Sequence, residues 1–268
     1  MSVDLRPILD HLPAWLMVLF RISGIFIFAP LLGATTIPMR VKVFLALGLS
    51  LCVYPALLQV GRGSEPLIRA AMDSSMHLWA LAAAVALELL IGLVIGYGAS
   101  IPIMAAQVGG HVIDQQIGLG LAGVFNPELG EQSGVVGEFF FLTALAIFVM
   151  IGGHHAMLAT LVGSFDRIPL GGFNDFHGIV VLACGLLTSM FDLAMRVAAP
   201  LLAVIFLETV AMGFVARTVP QMNIMSIGFA LRIVLGLGVL IGTVGAQLPA
   251  VHDGIRRTLD TLRLFFTG

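Results

Sequence analysis

Apolar positions in this chain come in long blocks, broken by short polar or glycine-rich connections. The blocks are Leu12 to Leu32, Val43 to Val60, His77 to Ile101, Val135 to Gly153, Gly178 to Ala216 and Ile227 to Leu248. A helix needs about 20 mostly apolar residues to cross the hydrocarbon core of a bilayer, and most of these blocks reach or approach that length. Gly178 to Ala216 is about twice as long and contains Pro200, so the pattern predicts a hairpin or a kinked pair there. Six or seven helical elements follow from this reading. No period-2 alternation of the kind used by membrane barrels is present, which excludes an outer-membrane β-barrel. The predicted fold class is all-α: a multi-helix, membrane-inserted protein. No Ser/Gly/Pro-rich linker or charge block divides the chain, which predicts one domain over residues 1–268. The opening "MSVDLRPILDHLP" places Asp4 and Asp10 where a cleavable signal would carry basic residues, so the first span is expected to be retained.

Composition sharpens this picture. Hydrophobic residues make up 59% of the chain and charged residues only 10%, against about 25% charged in soluble domains. Mean hydropathy is +1.06. Such a chain cannot cover a globule with polar side chains, and it belongs in a membrane or a large apolar assembly. The net charge of -2 gives no reason to expect nucleic acid as a partner. Cys52 and Cys184 each lie in an apolar run, form no CxxC pair and read as core residues.

Two features do not suit a simple bundle of spans. Arg21, Glu88, Glu138, Asp192, Arg196, Glu208 and Arg232 all fall inside apolar runs. A charge facing lipid at mid-bilayer costs about 2.5 kcal/mol or more, so these groups should face protein or water. Asp192 and Arg196 share a helix face and should pair. The second feature is a set of helix breakers, Pro30, Pro38, Pro55, Pro102 and Pro200 with Gly92, Gly96 and Gly98, which mark helices that kink or stop. Basic residues do not segregate between successive connections, as Arg40 and Lys42, Arg62 and Arg69, and Arg256 and Arg257 show, so charge assigns no orientation.

Catalytic chemistry finds little support. His154 and His155 have no HExxH context and no carboxylate at ligand spacing on their helix. "GLGLAG" (Gly118 to Gly123) lacks the flanking strand and the Lys-Ser/Thr ending of a phosphate loop, and Ser164 is not in a GxSxG elbow. No enzyme activity, metal or cofactor is predicted. Abundant glycine and methionine point instead to close helix packing and deformable apolar contacts.

Four stretches carry a more specific signal: "APLLGATTIPMRVKVFLALGLS" (Ala29 to Ser50), "GGHVIDQQIGLGLAGVFNP" (Gly109 to Pro127), "GGHHAMLATLVGSFDRIPLG" (Gly152 to Gly171) and "RTVPQMNIMSIGFALRIVLG" (Arg217 to Gly236). In order and spacing, over nearly the whole chain, they resemble the FliR family of flagellar biosynthesis proteins, which includes the injectisome export protein SctT. The resemblance implies a subunit of a type III secretion export gate in the bacterial inner membrane, at the flagellar basal body. It implies broken helical hairpins that stack with FliP-like and FliQ-like partners around a pore for unfolded export substrates, beside an FlhB-like subunit, in an assembly raised out of the bilayer plane. Energy would come from partner proteins or the proton motive force. Two other readings stand beside it: a proton-coupled small-solute transporter using Glu88, Glu138 or Asp192, and a scaffold without a pore.

The same resemblance supplies candidate residues. The region matching Val108 to Phe125 resembles a loop that plugs the pore, which nominates Asp114, Gln115, Gln116, Ile117, Gly118, Leu119, Gly120 and Leu121. Glycine gives such a segment freedom, Ile117, Leu119 and Leu121 give apolar contact, and the glutamines can exchange hydrogen bonds with water. The residues alone favour an ordinary connection whose polar groups meet solvent. Pro220, Gln221 and Asn223 would shape a tight reversal between two helices. Pro38 would mark a helix end, with Arg40 and Lys42 after it either anchoring that end at a polar surface or lining a solvated face, while His154, Phe165 and Pro169 would be structural markers. Relatives often carry Met where Ile117 stands and Phe where Met225 stands, which keeps apolar bulk at both positions.

Overall fold

A computed structural model describes residues 6–59, 78–118, 134–173, 175–218 and 224–268. Among them are seven helices: α1 (Arg6–Phe28), α2 (Met39–Gln59), α3 (Leu78–Ile117), α4 (Val135–Met150), α5 (Gly153–Arg167), α6 (Phe176–Thr218) and α7 (Ile224–Thr267). No strand occurs among the described residues. Five helices, α1, α2, α3, α6 and α7, are long and apolar enough to cross a membrane, or six spans if α4 and α5 together count as one.

Several boundaries differ from the sequence reading. Gly178 to Ala216 holds no reversal, because α6 is a single helix of 43 residues with Pro200 inside it. At 1.5 Å per residue it measures about 65 Å, roughly twice the thickness of bilayer hydrocarbon. The third block does not stop at Ile101, since α3 continues through Pro102 to Ile117. Its glycines do not break it either. Gly92 and Gly96 lie where the backbone of α1 comes close, a use that small residues serve in apolar helices. Pro30 and Pro38 do bracket the connection between α1 and α2, whereas Pro55 lies within α2. Cys52 and Cys184 are exposed, because α2 and this part of α6 turn apolar faces outward.

The chain divides into two compact units, one formed by Met1–Ser100, Gly152–Gly185 and Thr258–Gly268, the other by Ile101–Ile151 and Leu186–Arg257. In the first, α1 packs on α2 and presses closely on α3. A Cβ at Gly24 would strike the backbone of Leu89 and Leu93, one at Gly92 the carbonyl of Arg21, and one at Gly96 the backbone of Ile25. This small-residue seam brings Arg21 and Glu88, fully buried charges on facing helices, into contact.

Arg21 Nε donates to Glu88 Oε2. The guanidinium also donates to Ser164 Oγ at 3.2 Å and to the Ile168 carbonyl at 3.1 Å, and it lies 4.2 Å from the centre of the Phe165 ring. Glu88 Oε1 accepts from the Gly171 amide at 2.8 Å. A buried ion pair survives desolvation only when its remaining donors and acceptors are also used, and here three helices and the turn after α5 supply them.

In the second unit, Gly109 of α3 meets Ala194 and Val197 of α6, and Gly254 of α7 meets Leu193. Gln247 Nε2 donates to the Val197 carbonyl at 3.0 Å, close to the backbone that Pro200 disturbs, while its buried Oε1 has no partner among the described residues. Asp192 and Arg196 form the pair read from the sequence, at 2.8 Å on the exposed face of α6.

Candidate functional site

The segment singled out by the sequence begins inside α3. Ala105, Ala106, Gly109, Gly110, Ile113, Asp114 and Ile117 are buried and recur at helical spacing, whereas Gln115 faces outward and Gln116 is half-buried. The stretch from Val108 to Ile117 is therefore the last part of a helix, where the sequence reading expected a loop. Gly118 ends it. With φ at 89° the glycine takes the left-handed conformation, and its amide reaches back to the Asp114 carbonyl at 3.0 Å. The side of Ile117 lies against Gly236 of α7, and the Phe229 ring faces Gly118.

Asp114 does not present its carboxylate to solvent. Oδ1 accepts from the Val136 amide at 3.2 Å and Oδ2 from the Gly137 amide at 2.9 Å. These are donors of the first turn of α4, which starts after Gly134 with no side-chain cap of its own. An uncapped helix start leaves amides without intrahelical partners and a partial positive charge, and a carboxylate from the end of α3 answers both. The helices meet closely here: a Cβ at Gly110 would press on Val136 and Gly137, one at Gly134 would collide with the Asp114 carboxylate, and one at Gly137 with the His111 ring. A helix that starts on a glycine asks for a cap from elsewhere, which is the signal in the sequence that could have paired Asp114 with Val136 and Gly137.

Of the other nominated residues, Pro38 is exposed and its carbonyl accepts the first bonds of α2 from Val41 and Lys42. Lys42 Nζ donates to the Gly33 carbonyl at 2.9 Å, so this lysine closes the α1–α2 connection. Half-buried His154 lies beside exposed His155 with ring centres 4.2 Å apart and planes tilted by 43°, at the start of α5. Phe165 is buried under the Arg21 guanidinium, and the Pro169 carbonyl accepts from the Gly172 amide in the turn that meets Glu88. Leu119, Gly120, Leu121, Pro220, Gln221 and Asn223 lie outside the described residues. Near the α6–α7 connection, Glu208 Oε2 pairs with Arg232 at 3.3 Å, and Arg232 also donates to Thr209 at 3.1 Å. A cavity of about 370 Å³ next to the end of α5 is lined by Arg167, Phe173, Asp175 and Phe265, but Arg167 is committed to the carbonyls of Leu264 and Phe265.

The family model for bacterial export proteins, family 1, matches residues 12–258, a range that contains both the buried ion pair and the Asp114 contact. The chain belongs to this family. It is 30% identical to the flagellar biosynthetic protein FliR of Bacillus subtilis (strain 168), over 97% of this chain and 96% of that one. The flagellar biosynthetic protein FliR of Escherichia coli (strain K12) is 26% identical over 87% of this chain and 84% of its own length. The Yop proteins translocation protein T of Yersinia pestis is 25% identical over 85% and 82% respectively. Family membership thus extends over every helix in which a candidate residue was found.

Proposed function

We propose that this chain is a core subunit of a type III secretion export gate in the bacterial inner membrane, serving flagellar assembly. It lines the path of unfolded export substrates together with FliP-like and FliQ-like partners and works next to an FlhB-like subunit. The single observation that carries this reading is near end-to-end similarity to flagellar FliR proteins. Helices of 43 and 44 residues support it physically, since they outrun a bilayer and suit an assembly that rises from the membrane plane. Large exposed apolar side chains on α6 and α7, including Phe206, Phe214, Val234 and Ile241, suit lipid or neighbouring subunits. The chain acts in this reading without catalysis or cofactor. The segment from Val108 to Phe125 forms the plug, with its helical first part as a mount: Asp114 and Ile117 hold it, and Gln115 faces away.

The injectisome counterpart is the neighbouring alternative, kept in view by the Yersinia relative. A proton-coupled solute transporter is less well supported, because it needs an available carboxylate. Glu88 has both oxygens engaged and Asp192 is paired with Arg196, so that reading narrows to Glu138, half-buried in the first turn of α4.

Co-expression with FliP-like and FliQ-like proteins of the same organism, followed by gentle extraction and native mass determination, tests the assembly. A discrete complex is the expected outcome, and a stable lone chain that ignores both partners would sink it. Deleting Gly118 to Gly123 should raise ion leakage through the assembled gate, whereas unchanged conductance in an intact complex would refute the plug.

A further inference from the structure

We propose that Asp114 is a positioning residue that fastens the base of the gate segment, by tying the end of α3 to the start of α4. The inference rests on the gate reading above. Its ground is that the two amides of Val136 and Gly137 could have been satisfied locally. Gly134 stands at the N-cap of α4 with φ -56° and ψ 136°, a conformation in which serine, asparagine or aspartate caps a helix without strain. A local cap would satisfy the same amides and leave α3 independent of α4. The chain instead has glycine at that place, where any Cβ would collide with the Asp114 carboxylate, and takes the cap from α3.

Three further observations make the contact a fastening rather than an incidental cap. Asp114 is 2% exposed, so the bonds are shielded from water. Gly110 and Gly137 let the two backbones touch beside it. Immediately after Asp114, Ile117 and Gly118 lean on Gly236 and Phe229 of α7, so the chain entering the segment is held on two sides. Both bonds come from neutral backbone amides, and water can replace each partner when the helices part. Such a contact can close and reopen, which a gate mount needs.

The test is made in the complete complex with its partner proteins, reconstituted in a planar bilayer, with assembly checked by native mass. Four proteins are compared with the parent: Asp114→Gly, Asp114→Asn, the double variant Asp114→Gly with Gly134→Ser, and the deletion of Gly118 to Gly123. Asp114→Gly should leak ions about 5- to 30-fold more, the population change given by about 1–2 kcal/mol. Adding Gly134→Ser should restore slow hydrogen exchange at the Val136 and Gly137 amides, because serine caps α4 locally, yet the leak should persist. A double variant as tight as the parent would show that Asp114 only caps α4 and would overturn the proposal. Asp114→Asn keeps shape and one acceptor, and it decides the matter by its own leak if the glycine variant does not assemble. A leaky deletion beside tight Asp114 variants refutes the fastening and leaves the plug. A tight deletion beside leaky Asp114 variants refutes the plug, and with it the gate segment that the fastening is proposed to serve.

Discussion

Glu88 and Asp114 are both buried carboxylates on α3, and their surroundings differ in kind. Glu88 is held by a full charge: Arg21 grips one oxygen, the Gly171 amide the other, and Ser164, Ile168 and Phe165 complete the guanidinium's shell. Asp114 is held by two backbone amides at a single helix start. Breaking the first contact leaves an ion in an apolar interior, whereas breaking the second leaves only a helix end and a carboxylate that water can solvate. The same residue chemistry thus serves a permanent joint in one unit and a releasable one in the other.

The largest effect should come from attacking the permanent joint. Glu88→Ala strands the Arg21 guanidinium and should cost about 3–5 kcal/mol, enough to abolish accumulation of folded chain in the membrane. The paired change Arg21→Met with Glu88→Leu should recover most of that loss, and a double variant as unstable as the single one would show that packing rather than charge is decisive there. Next is the seam that sets the spacing. Gly92→Ala drives a methyl into the Arg21 carbonyl and should destabilise by about 1–3 kcal/mol, read as lower thermal stability in detergent. If its melting matched the parent's, the close approach of α1 and α3 would be wrong.

Asp114→Gly should cost about 1–2 kcal/mol, within the usual range for a lost N-cap, and leave the chain folded. A loss as large as that of Glu88→Ala would erase the contrast between the two sites. Smallest is Asp192→Ala, which removes an exposed i,i+4 pair and should change stability by about 0.5 kcal/mol or less. A larger drop would mean that this face of α6 is covered in the assembled protein.

Much of this arrangement was legible in the chain. Block lengths announced the all-α class, and the scattered charges in apolar runs announced interior partners, as Arg21, Glu88 and Glu208 have. Asp192 and Arg196 could be paired from spacing alone because their contact is local. Who pairs with Arg21 could not be read, since its partners lie 67 to 147 positions away and no local rule reaches that far. Glycine misled in one direction. Gly109 and Gly110 read as the opening of a loop and Gly92 and Gly96 as breaks, yet all four lie inside α3, because a missing side chain serves helix contact as readily as chain reversal. The long α6 was misjudged on similar grounds, as Pro200 is tolerated within one continuous helix, with Gln247 of α7 donating to the nearby Val197 carbonyl.

The reach of Arg21 also sets an order of events during synthesis. Its furthest hydrogen-bond partner, Ile168, is made 147 residues later, which at 5–20 residues per second is a wait of about 7–30 s. Through that interval the first span carries a guanidinium without its complete shell, at a cost of about 2.5–3.5 kcal/mol if it enters lipid alone. The first helix therefore completes its polar contacts only after α3 and α5 have been made, and until then its insertion carries that cost.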